Sequence, residues 1–235
     1  MKRNTLFFLF FLIVSVAAKA QLDKPHFISL NVGSNLPLAD YKEVDSVATG
    51  AASNGIYYSF ETAVYLNKFF GIGGSVGTFT NNVNEDDIVK QVESDLGTNQ
   101  EYEINSSDWV NSYYLIGPYF SFGGERLIVD FKFLAGYINS QKPLIDIQSD
   151  KNGTSVVSKS EESSSASFGF GYGLHLRIKL IGKLGLRLNA EGFSTKQEFD
   201  SKIEANSNGT TQTEKITLEK EIQALNLGAG LVLTF

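Results

Sequence analysis

Cysteine is missing from all 235 residues, which excludes disulfides, thiolate metal sites and acylation of an N-terminal cysteine. Beyond the first twenty residues no apolar run approaches 18 residues, so no transmembrane helix is expected. A basic patch is lacking too. The formal charge is -6, and an acidic chain of this kind is a poor binder of nucleic acid. Histidine occurs twice, at His26 and His175. What the chain has in quantity is glycine (22), phenylalanine (18) and tyrosine (10), the composition of a β-rich protein with a small interior and an aromatic exterior.

Lys2 and Arg3 precede an apolar run from Leu6 to Val16, which ends on Ala18-Lys19-Ala20. That is the pattern of a secretory signal peptide cut before Gln21. Its removal takes Lys2, Arg3 and Lys19 with it, so the charge moves from -6 to -6 - 3 = -9. The organisation expected is a signal peptide over 1–20 and one barrel domain over 21–235.

The clearest structural signal lies between Ser167 and Leu180. Phe168, Phe170, Tyr172, Leu174, Leu176 and Ile178 alternate with Gly169, Gly171, Gly173, His175, Arg177 and Lys179. Period two is that of a β-strand whose faces meet different surroundings. The length suits the roughly nine to eleven residues that a tilted strand needs to cross a bilayer. Seven other stretches alternate in the same way: about His26 to Leu36, Gly55 to Leu66, Phe69 to Thr80, Trp109 to Phe122, Leu127 to Ile138, Leu184 to Glu191, and Leu225 to Phe235. Pro118, inside the fourth, predicts an irregularity there, because proline has no ladder donor.

Three connections are tight turns: Asn67-Lys68, Gly123-Gly124-Glu125-Arg126 and Ile181-Gly182-Lys183. They alternate with four long ones, two of which carry Asn-Gly turns at Asn152-Gly153 and Asn208-Gly209. Within the connection from Asn81 to Asp108, Ile88, Val92 and Leu96 recur after Asp86 and Asp87 and before Gly97, which predicts a short amphipathic helix on the barrel rim. This sorting predicts an all-β fold: an eight-stranded antiparallel up-and-down transmembrane β-barrel with short periplasmic turns and four long external loops. Volume decides which face is inward. An eight-stranded barrel is barely wide enough for its own side chains, so glycines such as Gly171, Gly173, Gly185, Gly228 and Gly230 belong inside and the large apolar residues outside. Tyr58, Trp109, Tyr114, Tyr137 and Phe235 near strand ends suit interfacial girdles. The alternative is the inverse arrangement, a periplasmic lipocalin-like soluble barrel carrying a small apolar ligand.

Leu225, Leu227, Leu231, Leu233 and the terminal Phe235 form an alternating end that looks like the C-terminal insertion signal of bacterial outer-membrane proteins. The chain resembles the small outer-membrane β-barrel family common in Bacteroidota envelopes, similar in architecture to the OmpA, OmpX and PorT barrels. The resemblance implies residence in the bacterial outer membrane, contact with its lipid and assembly by the envelope's barrel-assembly machinery.

Inward parity gathers Glu61, Asp130, Lys132, His175, Arg177, Lys179, Arg187 and Glu191. Charges in a narrow lumen must pair, since an isolated buried charge is costly. On successive strands, Asp130/Lys132, Arg177/Lys179 and Arg187/Glu191 allow opposite signs to meet. A charged, side-chain-filled lumen is expected. Gly73-Gly74-Ser75-Val76-Gly77 matches the G-x-S-x-G nucleophile elbow, yet Ser75 falls mid-strand rather than in the strand-to-helix turn that an elbow needs. Some eight-stranded barrels act on lipid A with a His/Ser/acid set at the outer leaflet. Here His175 is assigned inward and His26 to the periplasmic side, so no catalytic residue, cofactor or metal is assigned.

The longest loop carries Glu85, Asp86, Asp87, Glu93, Asp95, Glu101, Glu103 and Asp108 against Lys90 and has no EF-hand spacing, which reads as a solvated acidic surface. Asp45-Ser46-Val47 resembles the short O-glycosylation acceptor of that phylum. The function expected is a non-enzymatic integral outer-membrane barrel, structural or presenting its long loops to external or envelope protein partners.

Overall fold

Alternation of large apolar residues with glycine and polar residues produces strands wherever it runs. The computed structural model describes residues 25–44, 51–96, 102–151, 154–207 and 210–235. The signal peptide, Asp45-Ser46-Val47, Gly97, Asn152-Gly153 and Asn208-Gly209 lie outside them. Among the described residues, eleven strands and one α-helix follow in order: β1 (Phe27–Leu38), β2 (Ala52–Tyr65), β3 (Phe70–Val83), α1 (Glu85–Leu96), β4 (Tyr102–Ser106), β5 (Trp109–Gly123), β6 (Leu127–Lys142), β7 (Ile145–Lys151), β8 (Thr154–Ser160), β9 (Ser163–Ile181), β10 (Leu184–Ser207) and β11 (Thr210–Thr234).

Eight of these close a ring. The order β1-β2-β3-β5-β6-β9-β10-β11 returns to β1, every neighbour antiparallel. Closure leaves no free edge within the ring, the condition for a sheet to sit where water cannot satisfy its backbone. At one end the strands join through the three tight turns. Gly123 and Gly182 take φ of +143° and +56° there, values that glycine adopts without a Cβ penalty. Asn67 closes the first turn by accepting from the backbone N–H of Phe69 (2.8 Å) and Phe70 (2.7 Å). Pro118 interrupts the β5–β6 ladder between Ile116↔Ala135 and Tyr119↔Lys132, and the register resumes unchanged.

Around the ring the large apolar side chains point away from the axis. Leu30, Ile116 and Phe133 are 66%, 67% and 60% exposed, whereas Glu61, Asp130 and Arg187 inside are fully buried. An apolar ligand cavity of the lipocalin kind is therefore overturned: the interior at that level is ionic.

Toward the loop end the two faces exchange character. On β10, Leu184, Leu186 and Leu188 face out while Arg187, Asn189 and Glu191 face in. Farther along the same strand, Phe193 and Phe199 face in, and Lys196, Glu198, Asp200 and Lys202 face out. β11 changes at the matching register. Leu227, Leu231 and Leu233 face out below Gln223, while Ile222 is inward and Glu219 outward above it. The paired residues Ser194 and Gln223 mark the level of the change. Below it the barrel is an apolar belt around a polar interior. Above it, the same strands enclose an ordinary hydrophobic core.

That upper core explains the elements that periodicity alone did not give. β10 and β11 continue as one long hairpin instead of ending near Glu191 and Leu225. β8 pairs with β10 over Ile203 to Ser207, β7 with β8, and β4 with β7, so the loops read as irregular carry a sheet. Trp109 lies edge-on to Tyr41 at 5.4 Å and to Phe199 at 5.7 Å. It is completely buried, so it does not belong to an interfacial girdle, whereas Tyr58, Tyr114, Tyr137 and Phe235 are exposed. Ile88 and Val92 sink into this core and hold α1, whose twelve residues would be marginal as an isolated helix. Each such buried side chain contributes about 1.5–3 kcal/mol.

Close approach makes one pair of glycines necessary. Gly33 and Gly228 face each other across β1 and β11 beneath the Tyr57 ring. A Cβ on Gly33 would meet Leu227 O at 2.2 Å and the Tyr57 ring at 2.7 Å. Gly33→Ala is expected to lower stability by about 1–3 kcal/mol, read as a lower urea midpoint in detergent micelles.

Candidate functional site

Register decides which inward charges meet. Glu61 on β2 stands between Ser29 and Ser75 on its neighbours. Gly173 on β9 is the register partner of both Lys132 and Glu191, and the space its missing Cβ leaves is taken by the Lys132 and His175 side chains. A Cβ there would meet His175 Nε2 at 2.7 Å and Lys132 Cε at 3.0 Å.

Two ionic groups result. In the middle of the barrel, Lys132 Nζ lies 3.1 Å from Glu61 Oε1 and 3.1 Å from Glu191 Oε1. Arg187 donates to Glu61 Oε2 at 3.1 Å and to Ser29 Oγ at 2.7 Å. Tyr119 OH donates to the same Glu61 oxygen at 3.1 Å, and Asn31 Nδ2 donates to Ser59 Oγ at 3.0 Å. His175 Nδ1 is 2.9 Å from Asn189 Oδ1 and 3.6 Å from Glu191 Oε1. Nearer the turn end, Arg177 grips Asp130 with both Nε and Nη2 at 2.7 Å, the bidentate geometry of a strong pair. Ser121 and Tyr65 complete that group, and Arg177 Nη1 donates to the Pro25 carbonyl at 3.1 Å.

Arg177 and Arg187 are direct cross-strand partners, an arrangement that costs energy unless each finds its own carboxylate. Each does: Asp130 for one and Glu61 for the other. The Phe27 ring lies 4.6 Å from the first guanidinium and 4.5 Å from the second, and both gain from its face.

Of the charged residues that share inward parity, Lys179 stands apart. It is exposed at the turn end, past the last lumen layer, with its backbone N–H bonded to Arg126 O at 2.9 Å. Opposite charges meet both across neighbouring strands, as Asp130 with Arg177, and across the lumen between strands that are not neighbours. Asp130 takes Arg177, Lys132 takes the two glutamates, and Arg187 takes Glu61. Phe27, Ser29, Asn31, Tyr65, Tyr119, Ser121 and Asn189 were not singled out from the sequence, because uncharged inward residues give no signal beyond parity.

Glu61, His175 and Glu191 each bring a potential metal-ligating atom within 4.8 Å of the others. The Lys132 ammonium touches both carboxylates, so two acids already face two bases and the cation position is taken. Ser75 is buried mid-strand between Glu61 and Leu115, without the turn that would present a nucleophile. His26 is at the turn end, its Nδ1 accepting from Tyr65 N–H at 2.9 Å. The two histidines therefore occupy different levels of the barrel.

Above the ions, Phe79, Tyr113 and Phe193 form a ring stack with Tyr113 and Phe193 only 4.6 Å apart. Higher still, at the loop end, Lys142 Nζ donates to Ser160 Oγ at 2.8 Å. Burial pushes the Lys142 ammonium down to about 8, with Glu162 opposing the shift in part.

Removing one member of a buried pair leaves the other uncompensated. Arg187→Met is expected to cost about 3–5 kcal/mol in urea unfolding, and adding Glu61→Gln to recover part of the loss. Lys142 sets a second test. Its folded value lies below the ordinary one of 10.5, so between about 8 and 10.5 the unfolded chain binds more protons and the loop-end sheet gains stability as pH rises. Hydrogen exchange of β7 and β8, corrected for intrinsic rate, should slow across that window, and a flat profile would contradict the assignment.

No protein-family model matches the chain, and no curated protein matches it. Among solved structures it is similar to Ail, the attachment invasion locus protein of Yersinia pestis, at 15% identity and a TM-score of 0.46, covering 90% of this chain and 100% of that one. Neisserial surface protein A gives 9% identity and a TM-score of 0.44, with 89% and 97% covered. The outer membrane protease OmpT from Escherichia coli gives 12% and 0.46, with 90% and 95% covered.

Proposed function

We propose that the protein is an integral outer-membrane β-barrel, non-enzymatic, whose lumen is sealed and whose task is to hold a rigid acidic structure outside the cell. The observation that carries the reading is the exchange of faces at Ser194 and Gln223. A strand buried in lipid must turn its apolar residues outward, and one standing in water must turn them inward. One chain that does both along the same strands is built to cross from one medium to the other.

Sealing is supported by burial. Phe27, Glu61, Phe79, Tyr113, Tyr119, Lys132 and Arg187 are at most 1% exposed, so the lumen cross-section is filled at several levels. The outer face of the belt meets lipid, and Leu225 to Phe235 is the segment the assembly machinery would engage. Outside, α1 opens with Glu85, Asp86 and Asp87, and the hairpin carries Glu198, Asp200 and Glu219. That structure is the part available to external or envelope protein partners.

Two outcomes are expected. Purified protein in planar bilayers should leave conductance at baseline, and steady ion currents would refute the sealed lumen. Ile116→Arg, at an outward belt position, should cost about 2–4 kcal/mol in bilayer refolding if the site is near the midplane.

A further inference from the structure

We propose that the turn end of the barrel carries a binding site for the headgroup of an anionic phospholipid, formed by Arg126, Lys179 and Lys183. The inference rests on the reading that the belt lies in a membrane.

Arg126 is far in sequence from Lys179 and Lys183, and the fold brings them together. Arg126 stands in the β5–β6 turn, Lys179 near the end of β9, and Lys183 in the β9–β10 turn. The bond from Lys179 N–H to Arg126 O joins the first two, and Lys179 is the register partner of Gly185, just past Lys183. All three line one cleft of about 110 Å³, room for several water-sized groups. Its inner wall is closed. Ile128, Gly185 and Val232 are buried there, and Arg177 reaches it already held by Asp130.

The charges of the rim are not balanced. Arg126, Lys179 and Lys183 are exposed, and none has a carboxylate partner among the described residues. Glu125 and the terminal carboxylate of Phe235 border the same cleft. Three cations against two anions leave 3 - 2 = 1 positive charge in excess. Basic pockets at a membrane face take up phosphate-bearing headgroups, since each cation near the surface adds to the attraction. A zwitterionic headgroup carries its own cation and leaves the excess as it was. A singly anionic one cancels it.

The residues next to the cations favour a lipid over a soluble phosphate. Leu127 follows Arg126, and Leu180 and Ile181 follow Lys179, all three exposed at the turn-end margin of the belt. A phosphate on the cations with an acyl chain along these side chains is the footprint of one amphiphile. A free phosphate ion would leave the apolar part uncovered. The lipid also supplies Lys179 with the partner that the lumen does not.

The test is native mass spectrometry of the full mature chain, transferred from detergent micelles with equimolar phosphatidylglycerol and phosphatidylcholine. Phosphatidylglycerol is expected to stay bound after the detergent is stripped, in preference to phosphatidylcholine. Lys179→Gln and Lys183→Gln should each weaken its retention about fivefold, and together about twenty-five-fold. Lys196→Gln, on the hairpin above the belt, should leave it unchanged, and unaltered urea midpoints would show that the variants fold. Equal retention of the two lipids, or undiminished retention in the double variant, overturns the proposal. So does displacement of the lipid by inorganic phosphate but not by chloride of equal ionic strength, which would make the site one for a soluble phosphate. Oxygen accessibility of a nitroxide at Phe133 in bilayers tests the belt by itself.

Discussion

Two carboxylates and two cations at the centre of the barrel, Glu61 and Glu191 with Lys132 and Arg187, constrain most of what surrounds them. Charges without water must be held by partners on several sides, and those partners must arrive from different strands. Glu61 comes from β2, Lys132 from β6, and Arg187 and Glu191 from β10, so the group ties together strands that do not touch as neighbours. A register slip of one residue would swap Arg187 for an outward leucine, or Lys132 for an outward phenylalanine. The ion pairs therefore specify the ring more than they stabilise it. Replacing the whole group by apolar residues of equal volume need not cost stability, whereas breaking any one pair does.

The same constraint accounts for the glycines. Arg187 lies between Arg177 and Gly230 in register, and Lys132 between Tyr119 and Gly173. Long side chains fit inside eight strands because each has, on one side, a neighbour with no side chain at all. Above this level the need ends. Phe79, Tyr113 and Phe193 stack, followed by Trp109, Tyr41 and Phe199, and the outward face turns to Lys and Glu. The barrel's lower half is polar within and apolar without, and its upper half is the reverse.

Much of the ring was legible from period two alone, because in the belt one face is large and apolar throughout, as from Phe168 to Ile178. The hairpin extensions were not. At Phe193 the apolar residues shift from even to odd positions of β10, and a strand that changes phase reads as a strand that stops. β7 offers only Ile145 and Ile147 as a signal, and β4 only Tyr102 and Ile104, too few to separate from a polar loop. Parity placed the lumen charges on inward faces but carries no register, so it could not say that Arg177 and Arg187 would be neighbours with separate carboxylates. Lys179 shows the limit of parity at a strand end: two residues before Ile181, there is no lumen left for it to face.

The central claim, that the belt meets lipid below Ser194 and water meets the strands above it, is tested most directly along β10 itself. The chain has no cysteine, so single nitroxides can be attached at Leu188, Ala190, Lys196 and Asp200 in a barrel reconstituted into bilayers. The account predicts that Leu188 and Ala190 collide with dissolved oxygen and are closed to a water-soluble nickel complex, and that Lys196 and Asp200 show the reverse. Free access of the nickel complex to Leu188 would contradict it.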